Sequence, residues 1–171
     1  MNLKRFHFDD INDHSDDINS IAITDDGRLA VTASYDRTLR VWDLEKRTAL
    51  HILRGHTRSI TAVATVCASH QAISASQDAS LRRWNLDTGA LEGVFTGHAN
   101  EIVSVAVSPS GKQAASGAHD DTVRIWDLVS GKEQAVIDVR TLQGGKLTVD
   151  FKKLITTQIE RFLPPKCSSA Y

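Results

Sequence analysis

A chain of 171 residues has room for one ordinary domain of roughly 100 to 200 residues. Its 41% hydrophobic and 24% charged residues lie near the average of soluble globular proteins. With 20 Lys plus Arg against 21 Asp plus Glu, the formal charge is −1, which gives no electrostatic footprint for nucleic acid or an anionic membrane.

From the N-terminus, MNLKRFHFDDIND carries basic residues with no apolar run behind them, so a secretory leader is not expected. Residues 1–13 read as a strand or arm. The longest nearly apolar stretch, around ITAVATVCA, is far shorter than the roughly 20 residues that span a bilayer. Cys67 and Cys167 lie 100 positions apart with no CxxC, which argues for neither a disulfide framework nor a zinc cage. A reduced, cytoplasmic protein is the expectation.

Residues 14–139 repeat themselves. Trp42, Trp84 and Trp126 are spaced by 42 positions, and so are His14, His56 and His98. Asp36, Asp78 and Asp120 keep the same step, as do Arg40, Arg82 and Arg124, and Ile18, Ile60 and Ile102. This divides the region into three copies, 14–55, 56–97 and 98–139. Within each copy the hydrophobic period is near 2, broken by turn residues. In the third, EIVSVAVS alternates, PSGK turns, QAASGA is a strand of small residues, HDD turns, TVRIWDL alternates, VSGK turns and EQAVIDV alternates again. Four short strands per copy follow. In the earlier copies TDDGR, LEKRT and DTG mark the turns.

After about Val139 the register stops. A fourth copy would need His near 140 and Trp near 168, where the sequence has Arg140 and Ser168. In the non-repeat tail, 140–171, the apolar residues Phe151, Leu154, Ile155, Ile159 and Phe162 fall on one helical face, with Asp150 as N-cap and Pro164-Pro165 as the stop. A helix over 151–163 is predicted, with an unstructured tail as the alternative.

Gly55-His56 and Gly97-His98 open their units, and Trp42-Asp43, Trp84-Asn85 and Trp126-Asp127 close them. A four-stranded unit of about 42 residues with these ends resembles the WD-repeat family of β-propellers. The resemblance covers residues 14–139 and implies an all-β fold, a partial propeller of three four-stranded antiparallel blades. It also implies that LKRFHF aligns with the outermost strand that precedes each Gly-His. In that family Asp, His, a Ser or Thr and Trp form a buried hydrogen-bonded chain within each blade. The resemblance assigns it to His14, Ser34, Asp36 and Trp42, and to His56, Ser76, Asp78 and Trp84. The third set has His98, Asp120 and Trp126 but Ala118 in place of the hydroxyl, so the third blade is expected to be the least well ordered.

Ser, His and Asp within one unit also suggest hydrolysis. A nucleophile, however, must stand exposed beside an oxyanion hole, whereas these hydroxyls are expected to be tied to buried tryptophans. No GxSxG elbow occurs. The evenly spaced histidines fall on different blades without clustered carboxylates or thiols, so no metal or cofactor is expected. QGGKLT lacks the first glycine and the hydroxyl residue of a phosphate loop. Arg40, Arg82 and Arg124, two positions before each Trp, are expected in blade-to-blade or edge salt bridges rather than in ligand recognition.

Surface recognition remains. By the resemblance, one rim carries Asp16, Asp17, Arg58, Ser59, Asn100 and Glu101, together with Tyr35, Arg37, Gln77 and His119. Tyr35 and Arg37 lead as partner-binding candidates, because Tyr and Arg dominate interface hot spots. The function expected is a non-catalytic module, scaffold or adaptor, that binds a protein or peptide. The alternative is a regulatory fragment of a larger assembly. Three blades are fewer than the four to eight of closed propellers, which leaves three expectations open: a piece of a larger propeller, a ring completed by self-association or by another chain, or end faces capped by the chain's own termini.

Overall fold

The computed structural model describes residues 14–139. They form twelve strands in three separate four-stranded sheets. Sheet 1 holds β1 (Ile18–Ile23), β2 (Leu29–Ser34), β3 (Thr38–Asp43) and β4 (Thr48–Arg54). Sheet 2 holds β5 (Ile60–Val66), β6 (Gln71–Ser76), β7 (Ser80–Asn85) and β8 (Leu91–Thr96). Sheet 3 holds β9 (Ile102–Val107), β10 (Gln113–Ala118), β11 (Thr122–Asp127) and β12 (Glu133–Asp138). Each is an antiparallel meander in chain order. The predicted helix 151–163, the arm 1–13 and the remaining tail lie outside the described residues.

Strand chemistry follows position. The second strands, LAVTAS, QAISAS and QAASGA, are built from small and β-branched residues and are buried almost throughout. A strand covered on both faces cannot alternate apolar with polar residues. The outermost β4 and β12 face solvent and carry polar or exposed residues at many positions. Between the second and third strands the chain reverses through Arg37, Ala79 and Asp121, at φ 68°, 64° and 61°. These repeat mates hold a left-handed conformation that side chains seldom adopt. The preceding aspartate pins each turn: Asp36, Asp78 and Asp120 accept the N–H of Thr38, Ser80 and Thr122 at 2.8, 3.0 and 3.0 Å.

The cores lie between sheets. Leu39, Val41 and Leu53 of sheet 1 meet Ile60, Val63, Trp84 and Leu86 of sheet 2 in one apolar cluster. Ile73, Leu81 and Phe95 of sheet 2 meet Ile102, Val105, Trp126 and Leu128 of sheet 3 in the next. In that second cluster the Phe95 ring sits edge-on to Trp126 with centroids 5.9 Å apart, a geometry the aromatic quadrupole favours. Each sheet thus buries one face against the next.

Candidate functional site

Every sheet contains the same internal polar chain. In sheet 2, Trp84 Nε1 donates to Ser74 Oγ at 2.9 Å, the hydroxyl lies 2.8 Å from His56 Nε2, and His56 Nδ1 lies 2.8 Å from Asp78 Oδ2. The carboxylate can only accept, so His56 carries its proton on Nδ1 and the hydroxyl donates to Nε2. Sheet 1 repeats this with Trp42, Thr32, His14 and Asp36 at 2.9, 2.8 and 2.7 Å. Sheet 3 repeats it with Trp126, Ser116, His98 and Asp120 at 2.8 Å throughout.

The hydroxyls therefore differ from those expected. Ser34 and Ser76 are not members of the chain; Thr32 and Ser74 are. Register explains the correction. Trp84 pairs with Ala72, so Ser74 is its diagonal neighbour on the same face, within reach of an indole. Ser76 stands a further two residues, roughly 7 Å, along the strand. The third set is complete as well, since Ser116 occupies the place where Ala118 had suggested a gap. Ser34 and Ser76 instead fasten the turn, accepting from Asp36 N and Asp78 N at 3.1 Å. Ser34 donates to Asp16 O at 3.1 Å, and Ser76 lies 2.9 Å from Ser59 O. Ala118, fully buried, lacks only this turn contact.

Burial and hydrogen bonding pull the charges of these chains in opposite directions. Burial would raise the Asp78 carboxyl, but His56, the Ser80 hydroxyl and the Thr57 N–H hold it well below the usual carboxylate range. Burial likewise opposes ionisation of Asp120, which Thr122, the Ala99 N–H and His98 nevertheless bring down to about 2. Asp36 is lowered in the same way, against burial, by Thr38 and His14. For His98, burial outweighs the adjacent Asp120 and pushes the imidazole below its ordinary value. A neutral histidine locked between a hydroxyl donor and a carboxylate has no free lone pair to take a substrate proton. Ser74 is 0% exposed and His56 6%, so this set has no opening for an acyl group.

The glycines before the histidines serve the same construction. Gly55 has φ 156°, and a Cβ there would sit 2.5 Å from Arg82 Nη1 and 3.4 Å from the Trp84 ring. Arg82 thus lies across the Gly-His entry beside the indole. Arg124 takes the equivalent place at Gly97 and pairs with Glu133. Among the described residues Arg82 makes no comparable ion pair, so the expected salt bridge is seen at Arg124 and not at Arg82.

The family described as WD domain, G-beta repeat matches residues 6–43, 47–85 and 89–127. The chain belongs to the WD-repeat family. Its matched units are offset from the sheets: 47–85 takes β4 of sheet 1 together with β5, β6 and β7 of sheet 2. The three sheets are blades of a partial propeller. WD repeats are generally protein-interaction scaffolds and typically non-catalytic. A comparison with curated proteins finds no match. Among the described residues, no helix is long and apolar enough to cross a membrane, and no group of three or more His, Cys, Asp or Glu could hold a metal ion.

On the rim of the histidine-aspartate turns, a groove between blades 1 and 2 is lined by Asp16, Tyr35, Arg37, Thr38 and Arg54. Tyr35 is 41% exposed, and neither its side chain nor that of Arg37 is held by another described residue. Between blades 2 and 3 a second groove contains Arg58, Gln77, Asn100 and Glu101. There Arg58 and Glu101 engage each other, Nη2 to Oε1 2.9 Å. His119 sits exposed at the blade 3 turn.

Reasoning from the repeat missed a cluster on the opposite rim. His70 places Nδ1 2.7 Å from Asp87 Oδ1 and Nε2 2.9 Å from Asp26 Oδ2. Both ring nitrogens face carboxylates, which accept and do not donate, so the arrangement favours the doubly protonated, cationic ring. The bonds to Asp87 and then Asp26 raise its pKa. The only signal in sequence was a histidine outside the 42-residue step.

Proposed function

We propose that the chain is a non-catalytic scaffold or adaptor of the cytoplasm that binds a protein or peptide along the rim carrying Tyr35 and Arg37. The supporting observation is how the two kinds of side chain are distributed. The recurring groups, Trp, Ser or Thr, His and Asp, are spent on one another inside the blades. Groups that differ between copies stand at this rim on either side of the recurring aspartate: Tyr35, Gln77 and His119 before it, and Arg37, Ala79 and Asp121 after it. Rigid turns present these variable side chains beside open grooves, which suits recognition of an extended surface. Arg58 and Glu101, already paired, serve the shape of the second groove more than direct capture, while Gln77 and His119 extend the contact line.

The experiment compares wild type with a Tyr35→Ala, Arg37→Ala double variant by quantitative affinity mass spectrometry, after showing equal urea midpoints. Selective loss of one or more partners from the variant is expected. An unchanged partner set would refute the rim assignment.

A further inference from the structure

We infer that the groove between blades 1 and 2 takes anionic side chains of a peptide segment, carboxylate or phosphorylated, and that Arg37 and Arg54 hold them. This rests on the rim reading and adds the chemistry of what binds there.

Both arginines line an open groove of about 470 Å³. Arg54 is in register with Thr38, the residue after Arg37, so the two stems leave the same end of one strand pair. Arg37 springs from the turn that Asp36 pins, at φ 68°, and a stem with a fixed origin loses less freedom on capture. Both residues are exposed, and neither guanidinium is hydrogen-bonded or ion-paired to another described residue. The fold does not ask for them. One step along, their mates are Ala79 and Thr96, and two steps along Asp121 and Asp138, yet blades 2 and 3 form the same strands and the same turn. A positive charge that the construction of a blade does without is open to use by something outside it.

The carboxylates of the groove do not use that charge up. Asp36 spends Oδ2 on His14 Nδ1 and the Ser15 N–H, and Oδ1 on the N–H and hydroxyl of Thr38; its side chain is 6% exposed. Asp16 stays exposed, with Oδ1 accepting the Asp17 N–H at 2.8 Å. Two guanidiniums thus meet one open carboxylate. In the groove between blades 2 and 3, by contrast, Arg58 is already paired with Glu101. An arginine is always charged and offers a fork of N–H donors that fits the paired oxygens of a carboxylate or phosphate. Tyr35, on the same groove, adds a phenol O–H. The formal charge of −1 supplies no broad field for a nucleic-acid backbone, so the local charge of a peptide segment is the better match.

Fluorescence anisotropy on the full chain tests this with labelled peptides in which serine alternates with one test residue. Glutamate and phosphoserine versions should bind, and their order tells which anion the groove takes; a glutamine version should bind about tenfold more weakly. Arg37→Gln and Arg54→Gln, each shown to keep the wild-type urea midpoint, should weaken the better anionic peptide by about threefold to tenfold. Asp16→Asn, which keeps the Oδ1 acceptor and removes the opposing charge, should tighten it. Equal binding of the glutamate, phosphoserine and glutamine versions would overturn the inference. So would indifference to Arg54→Gln, or an oligothymidylate bound as tightly as the better peptide. Loss of partners from the Tyr35→Ala, Arg37→Ala variant, with no preference among the peptides, would leave the rim reading standing and sink this one alone.

Discussion

The junction between blades 1 and 2 and the junction between blades 2 and 3 share their middles and differ at their edges. In both, aliphatic side chains of one sheet pack on the tryptophan and leucine of the next. At the edges, blades 1 and 2 are clasped on the rim away from the histidine-aspartate turns, where His70 bridges Asp26 and Asp87 and the Ala68 N–H donates to Asp25 at 2.9 Å. One step along, the places of Asp26, His70 and Asp87 hold Ala68, Lys112 and Val129, and no such bridge can form. Blades 2 and 3 are instead tied on the other rim by Arg58 and Glu101, and at mid-sheet by Arg83, which donates to Leu128 O. The difference teaches that the repeat specifies an apolar middle, while each seam is fastened separately.

Truncating that middle should have the largest effect and treat the seams alike. Phe95→Ala at the second junction should lower unfolding free energy by about 3 to 5 kcal/mol, and Leu53→Ala at the first by about 2 to 5 kcal/mol. Urea midpoints check both. A loss at one seam only would break the comparison.

Next comes the internal polar chain, which belongs to each blade and to neither seam. Asp78→Ala should lose about 1.5 to 3 kcal/mol, since it removes a charge-assisted acceptor and strands His56. Because the native Asp78 and Asp120 carboxyls lie below their unfolded values, they contribute fully above about pH 4. That contribution is lost as pH falls through the native value, about 2 for Asp120. Acid titration of wild type against Asp78→Ala should show a shallower loss in the variant.

The His70 clasp should separate the seams by pH. Its native pKa is raised, so its stabilisation is present below about pH 6.5 and fades as pH rises through the native value. His98 works oppositely: its lowered pKa means that stability falls as pH drops below about 6.5. Subtracting His70→Gln from wild type between about pH 5.5 and 8.5, the range over which histidine titrates, isolates the clasp. A difference that does not shrink with rising pH would remove His70 from this role. The smallest effect is expected from Ala118→Ser, which restores the turn hydroxyl that blades 1 and 2 possess and should add about 0.5 to 1.5 kcal/mol.

Much of the fold was legible because its physics recurs. Trp, His and Asp at 42-residue steps, and strands of period 2 between turns, locate each sheet without coordinates. The hydroxyl of the polar chain was misplaced because Ser or Thr stands at both 32 and 34, and at both 74 and 76. Only pairing register decides which of the two lies under the indole. His70 escaped for the opposite reason: its partners come from turns of two different blades, and a contact made once leaves no periodic trace. The rim was legible as a place, through turn residues that vary between copies, but the Arg58 and Glu101 pairing depended on how closely two neighbouring blades bring their loops.

The offset between matched units and sheets has a consequence for how such a chain can grow. The units 47–85 and 89–127 each start in the outer strand of one blade and end in the third strand of the next, so each is a covalent staple across a seam. Copying or excising a whole unit in a gene therefore preserves a four-stranded leaf on either side of the splice. Length can change by whole units without leaving a torn sheet.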